Sequence, residues 1–264
     1  MKDITVIIPV LNSQLVSQEL MDAVESVKNA QKYYTDGTLK VLIVVENVKN
    51  GFDYEVFEGI EYKYIVNKSG ACDYCSQINF GVKHVDTDYF SILEYDDYYM
   101  PKWFNMFNNY YQTNEDVSVF LPINVVHNAK TNEREFVNDI VWSSSFSNEI
   151  GYIDFDCLQA SASFNLTGGV FKTSDWLGYK PSISVAFNYE YLLRATSKNK
   201  NQKVFVVPKE GYHHEIFKPN SLTEFYMETI TDDNNMKWFE LAKKEYAFDE
   251  DRHKGISIKE DESK

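Results

Sequence analysis

The chain has 264 residues, 44% hydrophobic and 25% charged, a balance that suits a packed globular protein and excludes wholesale disorder. A formal net charge of −14 disfavours a general polyanion binder, because phosphate contacts need clustered Lys and Arg; nucleic acid is an unfavoured partner. No apolar run approaches the roughly 20 residues of a bilayer span. With no secretory leader visible after Met1 and only three cysteines, the expectation is a reducing, cytoplasmic setting. The abundance of Asn, Lys, Tyr and Phe points to an AT-rich genome, bacterial or viral.

In chain order, Ile4-Thr5-Val6-Ile7-Ile8 is β-branched and nearly all apolar, as a strand buried on both faces would be. Pro9 and Asn12 punctuate a turn after it. From Ser13 the apolar residues Val16, Leu20, Val24, Val27, Ala30 and Tyr34 recur at helical steps. A second buried strand covers residues 41–45 and closes on Glu46-Asn47; a weaker one covers residues 62–66. The turn Asn67-Lys68-Ser69-Gly70 leads into a helix with Ala71, Cys75, Ile78, Val82 and Val85 on one face. Cys72 and Cys75 form a C-x-x-C, but Cys75 belongs to that apolar stripe and packing explains it. Residues 89–93 read as another strand, and Pro101 suits the first turn of a helix carrying Phe104, Phe107 and Tyr111. Alternating strands and helices predict βαβ units and a mainly parallel sheet with helices on both faces.

After residue 117 the rhythm changes. Residues 117–122 read as a strand, residues 128–133 as a turn, and residues 136–141 as its antiparallel return. Gly168-Gly169 precede a short strand, residues 188–195 are helical, residues 203–207 form a strand, residues 222–246 have helical character, and the charged residues 247–264 form a tail. The expected division is therefore 1–117, 118–246 and the tail, with the first two as halves of one domain.

The sharpest chemical feature is Glu94-Tyr95-Asp96-Asp97, at the carboxyl end of a buried strand, where open α/β sheets bind ligands. Three carboxylates in four residues repel one another unless they are solvated or share a cation. A hard divalent ion would satisfy them through oxygen and leave positions for water and phosphate.

Several of these segments together carry a resemblance. Ile4-Thr5-Val6-Ile7-Ile8-Pro9-Val10-Leu11-Asn12 looks like the opening strand of family 2 glycosyltransferases, which adopt the GT-A fold. Leu42-Ile43-Val44-Val45-Glu46-Asn47 resembles their second strand. The stretch from Asp88 to Pro101 resembles the strand that carries their D-x-D metal motif. Gly168-Gly169-Val170-Phe171-Lys172 is similar to their acceptor-side strand, and Tyr212-His213-His214 with Asn220-Ser221 to their late His segment and serine turn. The resemblance implies a metal-dependent, inverting transfer of sugar from a nucleoside diphosphate, with UDP the expected nucleotide, to an acceptor hydroxyl. It implies Mn²⁺ or Mg²⁺ held by Asp96, Asp97 and His214, with His213 as the other histidine candidate. Pro9, Asn12, Glu46, Asn47, Ser69, Gly70, Glu94 and Asp96 would surround the donor. Residues 1–117 would hold the donor and residues 118–246 shape the acceptor side.

The sequence departs from the family at several places. Leu11 stands where an aromatic residue is common, Glu94 replaces the first Asp, and Ile78 precedes Asn79 where an Arg is common. The family's acidic base pair six or seven residues before an Arg becomes Phe187-Asn188 before Arg194. Glu190, one helical turn before Arg194, is the base candidate, its alternative being an i,i+4 ion pair; Asp175 is a weaker candidate. These departures leave open a second use of the fold, as a non-catalytic binding or structural module within a homo-oligomer or larger assembly.

Overall fold

The structure is a computed structural model that describes residues 2–45, 57, 59–67, 73–181, 183, 186–197 and 200–218. Glu46, Asn47, Ser69, Gly70, Cys72, Asn220 and the segments expected at residues 222–246 and 247–264 lie outside them.

The β-branched run at the start forms β1 (Ile4–Val10), buried along its whole length. Val41 to Val45 become β2 (Leu39–Val45), and the weaker third run becomes β3 (Glu61–Val66). With β4 (Tyr89–Ile92) these strands pair in parallel in the order β3-β2-β1-β4. Pro9 lies inside β1, opposite Val44, and not in a turn after it. The reason is visible in the ladder. The last rung to β4 is Leu93 N–H donating to the Ile7 carbonyl; the next would need a donor at Pro9, which has no N–H, so the proline stands where the ladder to β4 ends and only that terminal rung is forgone.

The first helix begins later than its apolar pattern suggests. A 3₁₀ turn spans Asn12–Gln14, and α1 (Gln18–Gln31) starts after Ser17, whose hydroxyl accepts from Leu20 N–H as the cap. Val16 consequently falls outside the stripe and is 74% exposed, while Leu20, Val24, Val27 and Ala30 are buried. The buried Leu and Val side chains are each worth about 1.5–3 kcal/mol. Helix α2 (Tyr74–Val82) buries Cys75, Ile78 and Val82 on the opposite face of the sheet. Gly81 allows that helix to approach closely, since a Cβ there would stand 2.9 Å from methyls of both Ile7 and Val44. Cys75 is a free, buried thiol, pushed up to about 12 by burial.

Pro101 precedes α3 (Trp103–Tyr111) by two residues rather than opening it. Between β4 and α3 lies a two-residue strand, β5 (Tyr98–Tyr99), too short to show periodicity. The second half contributes β6 (Val117–Asn128), β7 (Arg134–Val137), α4 (Phe155–Ala160), β8 (Val170–Lys172), α5 (Phe187–Thr196) and β9 (Lys203–Ile216). One sheet runs β3-β2-β1-β4-β8-β6-β9-β5, with β7 on β6, so no break in the core separates the strands of residues 1–117 from those of the second half. It is parallel across its first four strands and mixed beyond, because β8 enters antiparallel to both β4 and β6. Helices α1 and α3 cover one face; α2, α4 and α5 cover the other. This is the three-layer α/β architecture of a GT-A domain.

Candidate active site

The acidic turn leaves β4 at the carboxyl edge of the parallel strands, where Leu93 is the last residue hydrogen-bonded to β1. The two-residue β5 then pairs antiparallel with β9, setting Tyr98 opposite His213 and Tyr99 opposite Tyr212. That pairing brings residues some 115 apart in sequence onto the turn. Along β9 the side chains alternate. His214 and Tyr212 face the turn; His213 faces the other way, stacked on Tyr98 with ring centroids 4.3 Å apart.

Glu94, Asp97 and His214 each offer a ligand atom, all within 4.8 Å of one another. Asp97 is 2% exposed, and its carboxylate accepts from Tyr212 Oη (2.9 Å), His214 Nδ1 (2.7 Å) and Glu215 N–H (3.1 Å). Tyr212 Oη also accepts from the Glu94 N–H (3.0 Å). Gly168, at φ +79°, leaves room for this phenol; a Cβ there would stand 2.5 Å from the Tyr212 ring. Asp96 stands outside the trio. Lys218 Nζ donates to the Asp96 main-chain carbonyl at 2.9 Å, lies 3.7 Å from its Oδ2, and bonds Glu215 Oε2 at 2.7 Å. Of the expected metal residues Asp96, Asp97 and His214, the structure brings Asp97 and His214 together with Glu94 and sets Asp96 apart, beside Lys218. Successive residues of a turn direct their side chains apart, and Asp96 and Asp97 do so here.

The electrostatics match the crowding. Burial raises Glu94 to about 8, with His214 pulling it down and Asp97 and Asp96 pushing it up. Burial and the Asp97 charge raise Asp96 to about 6. Burial opposes charge on His214, but the Asp97 carboxylate prevails and raises it to about 10. Packed carboxylates that resist ionisation, beside an imidazole, make an O,O,N donor set whose crowding a divalent cation would relieve.

The remaining expected residues fall at varying distances from this centre. Pro9 is buried in β1, and Asn12, half-buried, opens the 3₁₀ turn beyond the strand's carboxyl end. Asn188 is the second residue of α5, and its Oδ1 accepts from Tyr179 Oη (3.2 Å). Its neighbour Phe187 packs on Tyr74 at the start of α2 (5.4 Å between ring centroids), so the amino ends of the two helices meet. Glu190, one turn deeper, is fully buried, with Oε1 2.9 Å from Arg194 Nε and Oε2 3.0 Å from Arg194 Nη2. Arg194 in turn donates to the carbonyls of Leu177 and Gly178. Both Glu190 oxygens are engaged by a guanidinium, which is the alternative ion-pair use and not the pose of a base open to an acceptor. Asp175 lies at the wrong edge of the sheet: it follows Lys172, which pairs with Tyr89 at the start of β4, and it accepts from Ser118 and Ser174. Sequence reasoning placed Tyr212 in the late His segment but gave it no role in the site. The signal was its two-residue spacing from His214, which places both on one face of a strand.

The fold and the edge site define a nucleotide-sugar-transferase class of architecture. The sequence model of glycosyl transferase family 2 matches residues 5–166, more than half of the chain, and the chain belongs to that family: it is a glycosyltransferase. Among solved structures it is similar to residues 1–349 of S. aureus TarS, at 12% identity, with a TM-score of 0.60, covering 98% of this chain and 76% of that one. The same TarS portion in complex with UDP-GlcNAc gives a TM-score of 0.62 at 12% identity. Against the longer S. aureus TarS chain, at 14% identity and a TM-score of 0.60, the coverage is 98% of this chain and 44% of that one. At such identities the likeness concerns the fold. No curated protein sequence matches.

Proposed function

We propose that this glycosyltransferase moves a sugar from a UDP-sugar to an acceptor hydroxyl with inversion, assisted by Mn²⁺ or Mg²⁺. The observation that carries the reading is the convergence of Glu94, Asp97 and His214 at the carboxyl edge beyond β4. The UDP-GlcNAc complex of TarS, a protein of similar fold, supports the choice of nucleotide.

In this reading Glu94 and His214 hold the cation with Asp97 and Asp96 adjacent. When bound, it supplies Lewis acidity that neutralises charge building on the leaving diphosphate. Asn12, with Pro9 behind it, borders the nucleoside, together with Glu46, Asn47, Ser69 and Gly70, which follow β2 and β3 in the sequence. Lys218, at the rim beside Asp96, supplies a second positive charge next to the leaving group. Glu190 is assigned to holding α5 against the carbonyls of Leu177 and Gly178 through Arg194, and not to proton transfer.

Isothermal titration of the full chain with UDP and UDP-GlcNAc, with and without Mn²⁺, tests the binding step, and release of UDP tests turnover. Binding that depends on Mn²⁺ and is lost in Glu94→Ala and His214→Ala supports the reading; no binding at millimolar nucleotide overturns it. A second reading, donor binding without transfer, is favoured by Asn188 at the place of the family's acid and by the engagement of Glu190 with Arg194. Binding of UDP-GlcNAc with no release of UDP across a panel of hydroxyl acceptors would establish it.

A further inference from the structure

Asp97 occupies the last acidic position of the turn, where a ligand to the cation is expected, but its carboxylate is already surrounded. A carboxylate offers about four lone-pair directions, and three are taken: two on Oδ2 by Tyr212 Oη and His214 Nδ1, one on Oδ1 by Glu215 N–H. A carboxylate accepts and does not donate, so the His214 Nδ1 at 2.7 Å carries the proton, leaving Nε2 as the nitrogen with a lone pair to give. A carboxylate holding the far side of a metal-binding imidazole in one tautomer is a known outer-shell arrangement. Tyr212, fully buried and bonded at once to Asp97 and to the Glu94 N–H, ties both sides of the site together.

We propose that Asp97 and Tyr212 are positioning residues: Asp97 orients His214 so that its Nε2 faces the cation, and Tyr212 locks Asp97 against the main chain of Glu94. Of the trio, Glu94 and His214 Nε2 then meet the ion directly and Asp97 does not. The inference rests on the divalent-cation reading above and goes beyond it by separating the residues that touch the ion from those that aim them.

The test is Mn²⁺ affinity of the full chain, measured calorimetrically without nucleotide, in wild type, Tyr212→Phe and Tyr99→Phe. Tyr99 is a control from the same core. Its ring packs edge-on against Tyr212 (5.6 Å between centroids), but its buried hydroxyl bonds to Ser91 Oγ (2.7 Å) and the Ile92 carbonyl and not to Glu94, Asp96 or Asp97, so Tyr99→Phe removes a hydroxyl that does not touch the carboxylates. Removing an outer-shell partner weakens metal binding by about 10–100-fold. Tyr212→Phe is expected to show that loss and Tyr99→Phe to bind Mn²⁺ as wild type does, whatever each does to melting temperature. If Asp97 were itself a ligand, Tyr212→Phe would free a lone pair on it and leave Mn²⁺ binding unchanged or tighter; that result overturns the inference. Should Tyr212→Phe fail to fold, by circular dichroism, ¹⁵N-histidine NMR of the wild-type chain with Zn²⁺ decides. A metal-shifted Nε2 with Nδ1 still protonated supports the assignment, and metal on Nδ1 overturns it. Wild-type protein that binds neither cation defeats the cation reading itself, whereas wild-type binding with an unaffected Tyr212→Phe defeats this inference alone.

Discussion

Glu190 and Arg194 show how one residue's role turns on its surroundings. Glu190 is fully buried and Arg194 is 15% exposed at its side chain, with Lys180 Nζ as a second cation 3.7 Å from Glu190, so truncating Glu190 leaves the Arg194 guanidinium without its carboxylate. Breaking such a pair costs about 3–5 kcal/mol. Glu190→Ala is expected to lower the unfolding free energy by about 3 kcal/mol in urea titrations. Any loss of activity should track the loss of folded protein. The acidic turn makes a pH prediction. Glu94 (ordinary value 4.5, raised to about 8) and His214 (ordinary value 6.5, raised to about 10) both hold their protons more tightly when folded. Their stabilising contribution is therefore full below the unfolded values and is lost as pH rises through 8 and toward 10. A metal ion competes with those same protons. Between about pH 6 and 9 the metal-free chain should melt at progressively lower temperature, while Mn²⁺ binds more tightly and releases protons. Thermal scans with and without Mn²⁺ across that range check both signs.

At the scale of elements, the register of short pieces decides where the chemistry sits. β5 has two residues, yet its pairing with β9 places Asp97 under His214 and Tyr212. α2 lies on the sheet through Gly81, whose missing side chain is what lets Ile7 and Val44 meet the helix. In Gly81→Ala, helix propensity would gain about 1 kcal/mol. The new methyl would press on two β-branched side chains with little freedom to move, and overpacking of that kind costs about 1–3 kcal/mol. The net effect should be destabilising by up to about 2 kcal/mol, visible as a lowered denaturation midpoint. Some boundaries were unreadable in the pattern alone. Val16 continues the helical spacing, but the Ser17 cap starts α1 after it, and periodicity carries no information about where a cap forms.

For the molecule as a whole, the net charge of −14 sets its long-range field. At near-physiological salt the chain should show no saturable binding to duplex DNA by fluorescence anisotropy, since it lacks the cationic excess that releases counterions. Among the described residues no helix is long and apolar enough to cross a membrane. Composition and periodicity in the sequence were enough for the parallel βαβ core, because strands buried on both faces must be written as continuous apolar runs such as Ile4 to Ile8. They were also enough to put an acidic turn at a strand's carboxyl end, since both features are local. Only the tertiary structure decided that Glu94 joins Asp97 and His214 while Asp96 meets Lys218, that Glu190 is committed to Arg194, and that Asp175 lies at the opposite edge. The grouping around Asp97 depends on pairings between residues more than a hundred positions apart, the place of Asp175 on how β8 pairs with β4, and the choice between the two uses of Glu190, both open from its i,i+4 spacing, on the burial of that side chain; none of these is encoded in the spacing of one segment.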